Sequence, residues 1–305
     1  MLLFGAGAAA YLQGRYAVAR ERLTLAFGLN PRLISATELL GELDYLQGDL
    51  DGAIRRYEEA LPFAAHLAPS MQKRLDAWRK EAIVHRNFSR ASTARFSIAF
   101  DGRSNEALAT HAVSVLDHAF QRIAGQLGGY PPNRILVTLY TERQFRDVTH
   151  GPEWAVGMFD GRIRIPTQGV AQDRERFDDV LIHELGHAMI AGLAPQGVPA
   201  WLHEGLASYF EPEDVGEALA RAHTSGVVIP LSQLEEGFER LTAAQARVAY
   251  DQSLIAADLL ARTAGARLGP LLRGLGRGQT FSDAMSVVGL RAADFEEQVR
   301  RRLKP

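Results

Sequence analysis

Apolar residues along this chain follow two periodicities, and the change between them comes near residue 92. Before it, apolar and small residues recur at helical spacing. After it, Arg95 to Phe100 alternates like a half-buried strand, and Asp101–Gly102 reads as a turn. Residues 104–127 return to a helical pattern, with Ala107, Val113, Val115, Leu116, Phe120 and Ile123 on the apolar face. The breaker GGYPP at 128–132 precedes RILVTLY at 134–140, a strand by its branched and aromatic content. A short helix at 141–149 and an alternating strand, GRIRIP at 161–166, follow. Helices then take over: 173–192, 199–211, 213–223, 242–264, and two or more to the C-terminus. Strands first and helices later predict an α+β arrangement rather than a doubly wound one. The expected organisation is an all-α domain over 1–90 and a mixed domain over 91–305.

The helical part contains an internal repeat. Tyr-Leu-Gln-Gly occurs at 11–14 and again at 45–48, an offset of 34 residues. At that offset Gly7 pairs with Gly41, Ala19 with Ala53, and Ala26 with Ala60, and Pro31 closes the first unit. These positions resemble the tetratricopeptide repeat (TPR), a helical hairpin in which small residues mark close helix crossings. The resemblance implies a protein partner for the repeats. Residues 70–88, with Leu75, Trp78, Ala82 and Ile83 at helical spacing, read as a closing helix.

Composition narrows the chemistry. The charge is -2 from 34 basic and 36 acidic side chains, which offers no electrostatic reason for a nucleic-acid partner. No cysteine is present, so disulfides, thiolate nucleophiles and cysteine metal sites are excluded. Any transition metal must be held by His, Asp and Glu. No apolar run approaches the ~20 residues of a membrane span. The opening MLLFGAGAAA lacks a basic flank and belongs to the repeat, so no targeting segment is expected. A cytoplasmic location is the default, and an extracytoplasmic one stays open if the native N-terminus lies upstream.

Residues 183–187 read His-Glu-Leu-Gly-His within a helix-compatible stretch. Residues four apart on a helix are rotated by only ~40° and separated by ~6 Å. His183 and His187 therefore project from one face and can share one zinc ion. Glu184 lies ~100° round from His183, beside the metal, where a carboxylate can take a proton from water. A surface helix with two histidines and an ion pair would show the same five residues. The third ligand comes from WLHEGLASYF at 201–210, which Pro199 opens as a new helix after the loop at 192–199. Glu204 can then reach the metal from the second helix. Gly205, costly by ~1 kcal/mol inside a helix, makes sense where another backbone passes close by. Two His and one Glu with an open position describe a catalytic rather than structural zinc, one per chain.

His-Glu-x-x-His followed by Trp-Leu-x-Glu-Gly-Leu-Ala resembles the gluzincins, especially the peptidase-MA-like domains that stand behind TPR repeats. The metzincin branch is excluded, because Ile190 and Leu193 occupy the positions of its Gly and third His. The resemblance implies a zincin-like (thermolysin-like) metallopeptidase domain that acts on a peptide or protein substrate. It also implies an oxyanion donor on a later helix, a place that Tyr250 occupies. A core tyrosine on an amphipathic helix is the other reading of that residue. Where thermolysin-like enzymes carry an Asp one turn after the Glu ligand, this chain has Ser208. Asp179, one turn before His183, could instead supply the outer hydrogen bond to that histidine, or be solvated. The resemblance places a substrate-pairing edge strand at 157–166, whose only acidic residue is Asp160, which leans towards an endopeptidase or oligopeptidase. His66, His85, His111, His118, His150, His203 and His223 form no second cluster at ligand spacing, and of these only His203 adjoins a ligand. The alternative function is a repeat scaffold whose peptidase domain binds metal but has little activity. Hydrolysis of a non-peptide bond is a third, weaker reading.

Overall fold

The computed structural model describes residues 2–102, 105–149, 156–167, 173–212, 214–238 and 240–304. It is mostly helical with one small sheet. By contacts the chain forms two compact units, Met1–Val113 with Arg134–Gln172, and Ser114–Asn133 with Asp173–Pro305.

The first unit begins with two helical hairpins, α1 (Leu2–Leu12) with α2 (Tyr16–Leu29) and α3 (Ile34–Leu46) with α4 (Leu50–Ala60). The paired small residues lie where these helices meet. A Cβ on Gly7 would stand 2.7 Å from the Leu23 side chain, and one on Gly41 2.5 Å from the Tyr57 ring. Ala19 and Ala53 are fully buried. Helix α5 (Ala68–His85) closes the segment through Met71, Leu75 and Trp78, and the Trp78 ring lies on Tyr45 and Tyr57. It ends earlier than the sequence pattern suggests. Phe88 opens β1 (Phe88–Ser92), which pairs antiparallel with β2 (Phe96–Asp101).

The sheet runs β1-β2-β3-β5-β4, with β3 at Ile135–Tyr140, β4 at Met158–Phe159 and β5 at Ile163–Pro166. The three central strands are parallel, Ile98 facing Val137 and Val137 facing Ile163, while β1 and β4 are antiparallel edges. The span 157–166 is therefore a two-strand edge rather than one strand. Helix α6 (Glu106–Leu127) makes the crossover from β2 to β3, and α7 (Glu142–Thr149) the next. Two predicted helix starts, Ser104 and Glu213, lie outside the described residues, as does His150.

Strands and helices of this unit meet around a buried ion cluster. Arg162 and Arg164 at β5 both reach Glu81 on α5, at 3.0 and 3.1 Å. Arg164 also bonds Tyr140 and Tyr45 hydroxyls, and the Arg162 guanidinium lies 3.7 Å from the Tyr45 ring centre. Two arginines this deep are tolerated because carboxylate, phenols and an aromatic face replace their water.

The second unit is helical: α8 (Arg174–Leu193), α9 (Ala200–Phe210), α10 (Val215–Ser225), α11 (Ala243–Ala264), α12 (Leu268–Leu275), α13 (Phe281–Val287) and α14 (Ala292–Arg302). Asp173 caps α8 through the Arg176 N–H, and Thr242 with Gln245 forms a capping box on α11. Pro199 occupies the N-cap of α9, one residue before the position expected. Among the described residues no helix is long and apolar enough to cross a membrane.

Candidate metal centre

Three elements of the second unit set the site, and glycines set how closely they approach. Helix α9 lies against both α8 and α11. A Cβ on Gly186 would stand 3.0 Å from Ala207 Cα and 3.1 Å from the Phe210 ring, so the small residue between the two histidines is where α8 and α9 touch. A Cβ on Gly205 would collide with the Ser253 carbonyl of α11. The backbone contact expected at Gly205 is thus with α11. Trp201, 1% exposed, fixes the start of α9 by packing against Phe281 and Phe295.

On this frame His183, His187 and Glu204 converge. The two Nε2 atoms are 3.0 Å apart, and each is 3.7 Å from Glu204 Oε2. A triangle with those sides has its centre about 2.0 Å from each corner, the length of a zinc–nitrogen or zinc–oxygen bond. Two imidazoles and one carboxylate are also a donor set suited to zinc. These residues are the metal-capable group of His, Asp and Glu found among the described residues. Glu184, the next residue after His183, is 6% exposed.

Electrostatics around the histidines agree with a site made for a cation. Burial works against a charge on His183, but the carboxylates of Glu204 and Glu211 outweigh it and push its pKa up to about 10. His187 is moved the other way, well below its ordinary value, by burial, by His183 and by His203.

The outer hydrogen bond to His183 differs from expectation. Its Nδ1 pairs with Glu211 Oε1, not with Asp179 or Ser208. Asp179 stands close enough to Glu211 that burial and that carboxylate raise its own pKa, which suits a neighbour rather than the partner. Ser208 is buried and its carbonyl accepts from the Glu211 N–H. Glu211 follows Glu204 by seven residues, two helical turns, so it returns to the same face. That spacing was present in the sequence and is the signal that could have found it. His203 is also part of the surroundings, with its ring centre 4.2 Å from that of His187. It contributes no atom to the metal-capable group. Tyr250 sits on α11, one turn before Ser253, with its ring edge-on to Phe238 and 39% exposed.

The family model described as the Peptidase MA superfamily matches residues 115–304. No curated protein matches the chain.

Proposed function

The chain belongs to the Peptidase MA superfamily, and from that premise we propose that it is a zinc-dependent metallopeptidase of the gluzincin kind, cleaving peptide bonds within proteins or oligopeptides. The observation that carries this reading is the convergence of His183, His187 and Glu204 donor atoms on one point at zinc-bond distance. Those three residues would hold the ion and leave a position open for water and substrate. Zinc held there supplies Lewis acidity, making a water easier to deprotonate and the scissile carbonyl more electrophilic. Glu184 takes the proton from the attacking water and delivers it to the leaving amine nitrogen. Glu184 lies buried next to His183 in the chain, within the same helix as both histidines. Tyr250 donates its phenolic hydrogen to the developing oxyanion. The hairpins α1–α4 are two TPR-like repeats that bind a protein partner, a reading supported by the 34-residue offset and the close crossings at Gly7 and Gly41.

The test pairs metal analysis with one variant. Purified protein should carry about one zinc per chain, and His183→Ala, His187→Ala and Glu204→Ala should each lose it. Glu184→Gln should keep zinc and lose nearly all hydrolysis of a broad peptide library. Protein that neither contains zinc nor takes it up would sink the proposal. A parent that binds zinc but cleaves nothing in the library would favour the scaffold reading instead.

A further inference from the structure

We propose that Glu211 is the positioning residue of this metal centre: its carboxylate, carried on the braced end of α9, orients His183 and supplies part of the negative charge a divalent cation needs. The inference rests on the reading of His183, His187 and Glu204 as ligands.

Three observations carry it. Glu211 Oε1 pairs with His183 Nδ1, and because a carboxylate accepts there, a cation on Nε2 would meet a ring already turned towards His187 and Glu204. An imidazole has only these two nitrogens, and fixing one decides the chemistry of the other. His187 has no such help, since its buried Nδ1 finds no hydrogen-bond partner among the described residues. The orientation of the ligand pair therefore depends on His183. Second, Glu211 is placed by more than its own helix. Arg122 on α6 donates to the Phe210 carbonyl at 2.6 Å, and the Glu211 N–H bonds the Ser208 carbonyl at 3.1 Å. Phe210 itself is fully buried and lies against α8 at Gly186. The last turn of α9 is thus tied to α6 and α8 just where Glu211 leaves it. Third, the charges balance. Around a bound dication, two neutral imidazoles and the carboxylates of Glu204 and Glu211 would bring two negative charges, and Glu184 would remain for proton transfer.

Chelator competition on the purified full chain measures the consequence. Glu211→Ala should weaken zinc binding by about 10–100-fold, the range for losing such an outer partner. Glu211→Gln keeps an acceptor without the charge and should recover part of that loss. Arg122→Met should weaken zinc in the same direction but less. The cobalt-substituted Ala variant should show a shifted visible absorption band, because His183 is no longer held in one orientation. Melting temperatures of metal-free Gln variant and parent should agree, which separates ligand positioning from general stability. If Glu211→Ala does not fold, Glu211→Gln decides. A parent that binds zinc while the Glu211 variants that fold match its affinity and cobalt spectrum would overturn this inference alone. A parent that binds no zinc would overturn the metal-centre reading, and this inference with it.

Discussion

Gly186 and Gly205 stand next in the chain to His187 and Glu204 of the proposed metal site, and each admits a different neighbouring helix. Because the carbonyl of Ser253 occupies the space where a Cβ on Gly205 would go, Gly205→Ala cannot be absorbed by a side-chain rotation. It should cost about 1–3 kcal/mol in urea unfolding, the range for overpacking, and lower zinc affinity because Glu204 moves with the helix. An unchanged midpoint and affinity would show that α9 and α11 can separate freely. Tyr250 poses the opposite case, a residue whose chemistry rather than packing is at stake. Tyr250→Phe keeps the ring against Phe238 and removes one hydroxyl. Zinc content should be unchanged and kcat should fall by about 10²–10³, as for loss of one oxyanion donor. A Phe variant of full activity would pass that role to another residue.

Helix α5 acts on two sides, covering the hairpins through Trp78 and meeting the strands through Glu81 and His85. His85 bonds the Tyr140 hydroxyl at 2.8 Å and stacks on Phe88. Burial lowers its pKa to about 4, and Arg164, Arg162 and Arg90 push the same way against the pull of Glu81. In the unfolded chain it takes a proton near pH 6.5. Between those values the unfolded chain binds more protons, so stability rises with pH and is lost as pH falls from 6.5 towards 4. The contribution is on the order of 3 kcal/mol. Urea midpoints measured across that window should show the slope, and His85→Gln should flatten it while keeping a partner for Tyr140. An equal slope in the variant would assign the effect elsewhere. In the hairpins, Gly41→Leu would drive a side chain into the buried Tyr57 ring. About 1–3 kcal/mol of destabilisation is expected, with zinc binding in the other compact unit retained.

At the scale of the whole molecule, a ligand that binds only the folded state stabilises it by mass action. Zinc at 1,000 times its dissociation constant should add about 4 kcal/mol, and EDTA should remove it. Because the proposed ligands lie on α8 and α9, hydrogen exchange should slow most in those helices and least in the hairpins α1–α4. Uniform protection, or none, would mean that zinc does not bridge the two helices.

Two periodicities and one five-residue pattern made much of this legible in the sequence. The order of strands and helices, the 34-residue repeat and the grouping of His183, His187 and Glu204 all depend on spacing along one element, or on two elements joined by a short loop. Such relations are local, because helical geometry alone decides which side chains share a face. What spacing could not decide was which distant groups would meet. The strand at Phe88–Ser92 forms because β2 offers it a partner, and it takes Phe88 from the end of the helix read over 70–88. Contacts group the hairpins with the sheet, where Arg162 and Arg164 find Glu81 some eighty residues earlier in the chain. The sequence pointed to Asp179, a turn before His183, whereas the partner is Glu211, 28 residues later. The crossing of α8 and α9 at Gly186 chose Glu211, because only packed helices determine which carboxylate arrives with the right reach and its backbone already tied down.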